Sequence, residues 1–380
     1  MATYLNLGVV TSASEYKAAS LRWWNAAWSL ARELKLGREL PADSGKDRDS
    51  NAADHDAEVG MSDCSNSGAH IPAGTPTAAL MEESREERRR LWWLLYMIDR
   101  HLGLCYNRPL AMLDNECEDL YQPVPDTLWQ AGEFYTGNSG PKRKGLSFQC
   151  VSHDVFGFFL PLMTILGDIV DLNAQKNHPR FGQRASWEPY ETEIIRQLER
   201  YAYSLQEFKT QNGCGPSGED AVTDLNGNPD IVRGECVHQT RKVVAYATHI
   251  MHVLHILLHG KWDPVALLED DNMWICSQSF LAATSNAISA AHAVEDILEL
   301  DPDLSFMPYF FGMVSSSQGL FICSALLTVL VVSSPGEPDP ATARGQAVDR
   351  HERRRYPCVR NDCTCARSCC CHIEHRIPSK

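Results

Sequence analysis

The sequence predicts an all-α fold, a large multi-helix domain with flexible loops, and three observations carry that expectation. Apolar residues recur at three- and four-residue steps along several segments, the spacing of a helix face. No alternating strand pattern, evenly spaced Val/Ile run or repeat period appears in the chain. The third observation is Ser84–Pro109, SREERRRLWWLLYMIDRHLGLCYNRP. Its Leu91, Leu94, Leu95, Ile98, Leu102 and Cys105 share one face, while Trp93, Met97 and Leu104 occupy the other. A helix that is apolar nearly all round is a buried one, so this stretch reads as the central core helix.

The remaining elements follow in chain order. Ser12 and Glu15 form a capping-box pair ahead of a stripe of Tyr16, Trp23, Ala27, Leu30 and Leu34, and Gly37 supplies the left-handed residue a helix end favours. Residues 41–80 are polar, acidic and poor in large apolar groups, which predicts a disordered loop. Ser84 and Glu87 form a second capping box opening the central helix, and Arg108 before Pro109 marks its exit. Pro123 and Pro125 predict an extended connection to Trp129. Residues 136–147 form a second loop, whose Lys142, Arg143 and Lys144 read as a solvated cluster. Val155–Leu172 is apolar but short for a bilayer span and interrupted by Asp168 and Asp171, so it reads as a core helix started or kinked at Pro161. Trp187–Phe208, Cys236–Leu258 and Ser277–Leu300 are the later helices, with residues 210–233 a loop and Asp301-Pro302-Asp303 a break. Four regions result: a first helical part at 1–40, the acidic loop at 41–80, the main helical domain at 81–312 and a divergent tail at 313–380.

Composition narrows the function classes. The 380-residue chain carries a net charge of −14 and 44% hydrophobic residues, enough for a core but lacking the cationic excess of a dedicated phosphate-backbone reader. The N-terminus has no charged region followed by an apolar run, so no signal peptide is expected. Of 14 cysteines, six fall in Cys358–Cys371, and the other eight lie scattered as buried thiols of an intracellular protein would. Phe306–Val332 is 27 residues without a charge, yet Pro308 and Ser315–Gln318 interrupt it, and it reads as buried core, not membrane.

Three constellations bear on chemistry. His249, His252, His255 and His259 share an arc of one helix, and imidazoles at such spacing can chelate a metal. A helical metal-dependent enzyme using the His249/His252/His255 face is thus the alternative reading. No HExxH accompanies them, and a helix–helix contact explains them as well. Asp99, Arg100 and His101 point 100° apart and cannot converge on one substrate atom, so they need structural partners for buried charge. Asp114, Glu116, Glu118 and Asp119 read as a solvated acidic turn. No GxSxG, GxGxxG or Walker-type sequence occurs.

Arg85–Pro109 with its continuation LAMLDNECEDLYQPVPDTLWQAGEF (Leu110–Phe134) resembles the middle homology region of fungal zinc-cluster transcription factors. Within that family it is most similar to the xylanolytic branch, with the arabinanolytic branch next. Ser12–Leu40, Phe156–Asn173, Arg241–Pro264 and Asp301–Gly312 match in the same order. The resemblance implies a non-enzymatic regulatory domain of a nuclear activator of xylan- and cellulose-degrading enzyme genes. Its structural and regulatory core would be Arg88, Trp92, Trp93, Asp99, Arg100, His101, Tyr106, Asn107, Arg108 and Pro109. It implies no cofactor in this chain, since zinc belongs to the family's N-terminal six-cysteine cluster. Cys64 is the first cysteine here and stands alone, so that module is expected to be missing, and DNA would be reached only through it. A corepressor, a coactivator, a second copy of the chain and a sugar-derived inducer are the other implied partners. After Gly312 the resemblance fades, and Ser333–Lys380 is expected to be an aberrant tail, not a metal knuckle, because Cys363, Cys365, Cys369, Cys370 and Cys371 fit no zinc spacing.

Overall fold

A computed structural model describes residues 1–12, 19–40, 76–133, 142–180, 182, 186–214, 230–262, 274 and 276–307, all within the unit Met1–Val331. The helices are α1 (Ala2–Ser12), α2 (Ser20–Glu33), α3 (Pro76–Tyr106), α4 (Asp126–Gln130), α5 (Leu160–Lys176), α6 (Glu188–Gln211), α7 (Asp230–His259) and α8 (Gln278–Leu300). A 3-10 turn at Asp114–Glu116 and a π-turn at Val155–Phe159 complete the set. One antiparallel bridge, Tyr121 with Lys144, is the sole β-type pairing among the described residues. The fold is all-α, as the periodicity predicts.

Packing is pairwise and sequential. α1 lies on α2, α3 packs on α5, α5 touches α6 and α7, and α7 runs along α8. The core is dense with aromatic residues: Trp24, Trp92, Trp93, Tyr96, Phe158, Phe159, Tyr201 and Tyr246 are all buried. Two of their polar atoms are matched internally, with Tyr201 Oη donating to the Phe158 carbonyl at 2.8 Å and Tyr246 Oη to Asp301 Oδ2 at 2.8 Å, as buried hydroxyls require.

Several boundaries differ from the sequence expectation. Ser12 is the last residue of α1, its hydroxyl donating to the Gly8 carbonyl at 2.8 Å. Glu15 and Tyr16 lie outside the described residues. α3 begins at Pro76, which makes the end of the acidic stretch helical and puts Ser84 inside the helix. α7 begins at Asp230, before the expected Cys236. The left-handed residue after α2 is Lys35, φ +51°, not Gly37. Gly37 is needed for another reason: a Cβ there would sit 2.6 Å from the Glu116 carbonyl and 2.8 Å from the Trp92 ring.

Pro161 does open α5, within its first turn. Asp154 caps the π-turn before it, accepting the Phe156 and Gly157 N–H groups at 3.0 and 3.1 Å. Val155–Lys176 is, against expectation, long and apolar enough to cross a membrane, but 78% of that window is buried in the fold. An apolar helix enclosed by protein on all sides is a core helix. Residues 313–380, including the cysteine-rich tail and most of the uncharged Phe306–Val332 run, lie outside the described residues.

Candidate functional site: a buried charge network on the central helix

α3 ends at Asn107, φ +45°. The Asn107 N–H reaches the Leu104 carbonyl at 3.3 Å and the Arg108 N–H the Gly103 carbonyl at 3.1 Å, the paired closure of a helix that stops in a left-handed residue. Asn tolerates that conformation better than most side chains. The closure turns Arg108 back along the helix. Its Nη2 donates to Asp99 Oδ1 at 2.7 Å and its Nη1 to the Pro109 carbonyl at 2.9 Å. The guanidinium also lies 4.6 Å from the ring centre of Trp28 on α2.

Asp99 is fully buried. Besides Arg108 it accepts Arg100 Nη1 at 3.3 Å, the Ala111 N–H at 2.9 Å and the Met112 N–H at 2.9 Å. Two cations and two backbone donors leave this buried carboxylate with its lone pairs matched. One side chain thereby fixes the path of the chain leaving α3.

Arg100 is also buried. Its Nη2 donates to Asp114 Oδ1 at 2.6 Å, and the same oxygen accepts the Tyr96 hydroxyl at 2.7 Å. The guanidinium sits 3.3 Å over the Tyr96 ring, a cation–π contact. Arg100 Nε has no partner among the described residues. Beneath lies α5, where Gly167 leaves room: a Cβ there would stand 3.1 Å from Arg100 Cγ. Asp168 and Asp171 follow on α5. Burial, reinforced by the negative charge of Asp114, pushes Asp168 up to about 6, with a Gln197 hydrogen bond and Arg100 opposing. Burial also raises Asp171 above the ordinary carboxylate value.

The N-terminal half of α3 holds a second network. Arg88 Nη2 donates to the Leu34 and Lys35 carbonyls at 2.9 and 3.0 Å, closing the end of α2. Arg89 grips Glu39 with two bonds of 2.7 and 2.8 Å and Glu82 at 2.9 Å. Glu86, fully buried, accepts Arg89, Arg90 and the Val124 N–H, and burial raises its carboxyl above the usual range. Arg90 continues to Asp126 at 2.5 Å. The run of charge in SREERRR thus staples the 121–126 connection and the α2 exit onto one helix.

Of the expected core residues, Trp92, Trp93, Asp99, Arg100 and His101 are buried, Arg88, Tyr106 and Arg108 are half-buried, and Asn107 and Pro109 are exposed. Trp93 Nε1 donates to the Tyr121 carbonyl at 2.9 Å. Burial pushes His101 down to about 4, so it is neutral at physiological pH. The structure brings Arg100, Asp99 and Arg108 together through the loop that follows α3.

Sequence reasoning missed Glu39, Glu82, Glu86, Arg89 and Arg90: Arg89 with Glu39, Arg90 with Asp126 and Glu82 with Lys142 are distant in sequence, whereas Glu86 with Arg89 and Arg90 stands at local helical spacing and was legible. It also misread half of the acidic turn. Asp114 and Glu116 are closely ion-paired, Glu116 with Arg32 at 2.6 and 2.9 Å, whereas Asp119 is 92% exposed and reaches Lys144 only at 3.9 Å. Lys142 is not merely solvated, since it pairs with Glu82 at 2.6 Å.

The histidine face of α7 is taken up by its neighbour. His249 Nδ1 lies 3.1 Å from the Ala290 carbonyl and His252 Nδ1 lies 2.8 Å from Asn286 Oδ1, both on α8. The rings of His255 and His259 stack at 6.4 Å, and burial lowers His255 to about 4. Among the described residues no three His, Cys, Asp or Glu side chains gather as a metal site.

Comparison with known proteins identifies the family. The fungal-specific transcription factor domain matches residues 4–208. The chain is 47% identical to the xylanolytic transcriptional activator xlnR of Aspergillus clavatus, covering 93% of this chain and 38% of that protein. It is 50% identical to the xlnR of Aspergillus terreus, over 94% and 39% of the two chains, and 46% identical to that of Aspergillus niger, again over 94% and 39%. The chain thus spans well under half the length of these relatives. The alignments also run past Gly312, since residues 3–312 alone could not supply such coverage. No solved structure matches. With the domain match spanning more than half of the sequence, the chain belongs to the fungal-specific transcription factor domain family, whose members here are transcription factors and not enzymes.

Proposed function

We propose that this chain is the regulatory part of an activator of xylan- and cellulose-degrading enzyme genes, working in the nucleus. The supporting comparison is the name its relatives carry, xylanolytic transcriptional activator. On this reading DNA and zinc enter through a separate six-cysteine module, and the helical part takes a corepressor, a coactivator or a second copy under control of a sugar-derived inducer.

One observation carries the mechanism: Arg100 is a buried cation whose strongest carboxylate partner, Asp114, keeps 44% of its side chain exposed. A buried charge held by a surface residue gives a core two packings of comparable energy, one with Arg100 on Asp114 and one with Arg100 drawn to Asp168 and Asp171. A signal that shifts the 111–116 turn moves that balance. The Arg100→Met variant in the full-length activator tests it with a xylanase-promoter reporter. Loss of the sugar response at normal protein level supports the latch, and an unchanged response overturns it.

A further inference from the structure

We propose that a cleft at the C-terminal end of α2 binds a small anionic ligand through a phosphate or carboxylate group, and that an occupied cleft competes with Glu116 for Arg32. The cleft is lined by Arg32, Lys35, Gly37, Arg38, Trp92 and Glu116 and has a volume of about 260 Å³. That lies just below the ~300–1,000 Å³ of drug-sized pockets, so its occupant is small.

Charge sets the ligand class. In a chain of net charge −14, three cations converge on this one concavity against a single carboxylate. Lys35 and Arg38 are exposed and make no ion pair among the described residues. The plainer account is that they answer the negative end of the α2 dipole. Arg88 already does so, with its guanidinium on the Leu34 and Lys35 carbonyls. Lys35 is moreover held in a left-handed conformation, φ +51°, by the Lys35 N–H to Arg32 and Leu36 N–H to Ala31 bonds. It is the same paired closure that ends α3 at Asn107, and it places Lys35 at the cleft.

The cleft is wired to the latch. Arg32 bonds Glu116 through two nitrogens and also donates to the Ala111 carbonyl. Glu116 in turn accepts the Leu113 N–H at 2.8 Å. Between them Asp114 holds Arg100 and Tyr96. An anion that draws Arg32 away releases one end of the turn that carries Asp114. The binding claim stands without the regulatory reading, because it is tested in vitro with no reporter.

The test is calorimetry on the purified full chain with inorganic phosphate, glucose 6-phosphate, glucuronate and neutral glucose. At least one anion should bind saturably and roughly tenfold tighter than glucose, a difference of about 1.4 kcal/mol, and its affinity should fall as salt rises. Glucose 6-phosphate against glucuronate tells which anionic group is taken. The double variant Lys35→Gly/Arg38→Gln should lose roughly tenfold in affinity while melting no lower than wild type. No saturable binding of any anion, glucose binding as tightly, or equal binding by the double variant would each overturn the proposal.

Discussion

Asp99 accepts the backbone N–H of Met112 at 2.9 Å, so a helix carboxylate, reaching 13 residues forward, does for the following loop what a strand partner would do in a sheet. Because Asp99 is fully buried and also neutralises Arg108, Asp99→Asn presents an NH₂ group where a second acceptor is needed and leaves two cations short of charge. Breaking a buried pair by removing one partner costs about 3–5 kcal/mol. Urea unfolding should show that loss as a lower midpoint with an unchanged slope.

Asp114 should matter less for stability than for the position of Arg100. Its side chain is 44% exposed, so Asp114→Asn exchanges part of its interaction for water, and the expected cost is about 1–2 kcal/mol. Arg100→Met leaves Asp99 with Arg108 and two backbone donors and leaves Asp114 open to solvent, so no carboxylate is stranded and the cost should be similar despite the loss of both bonds. Chemical denaturation of both variants checks the pair. An Arg100→Met loss far above that of Asp114→Asn would mean that the guanidinium is a stabilising core element and not a switchable one.

Asp168 gives the fold a pH dependence of defined sign. Its folded value near 6 lies above the ~3.9 of an unfolded Asp, so the folded state holds the proton more tightly. The stabilisation it contributes is full below about pH 4 and is lost as pH rises through about 6. Asp168→Asn removes this loss and should gain up to about 3 kcal/mol at pH 8 relative to pH 4, a ceiling because the side chain is partly exposed. His101 runs the other way: folded near 4 against about 6.5 unfolded, it destabilises the fold as pH falls. Urea midpoints at pH 5 and pH 8 for wild type, Asp168→Asn and His101→Leu separate the two slopes.

The helices were legible wherever burial alone sets the pattern. α5, α6 and α8 follow from apolar periodicity, and Ser277 caps α8 through the Phe280 N–H at 3.2 Å as its place before an apolar run suggests. The start of α3 was not legible, because Ser84 and Glu87 match a capping pattern that the helix does not use. Eight residues precede Ser84 in the helix, and among them Glu82 bonds Arg89 and Lys142. Residues paired at separations of 50 and 84 positions, Arg89 with Glu39 and Arg32 with Glu116, leave no local trace. Buried charge at Asp99 and Arg100 could be read from the apolar neighbourhood, but its partners could not.

The exit of α2 separates two roles that sequence patterning assigns to one glycine. Lys35 occupies the left-handed position, where a side chain costs roughly 1 kcal/mol or more, so Lys35→Gly should stabilise the protein by about 0.5–1 kcal/mol after the added chain entropy of glycine. Gly37 has no such strain but has no space, since an added methyl group would bring the Glu116 carbonyl and the Trp92 ring within 3 Å of it. Gly37→Ala must push apart α3 and the Asp114–Glu116 turn, and overpacking of that kind costs about 1–3 kcal/mol. Thermal unfolding of the two variants should therefore shift in opposite directions. If Gly37→Ala were neutral, the close approach of Trp92 would carry no constraint, and if Lys35→Gly lost stability, the left-handed backbone at Lys35 would carry no strain.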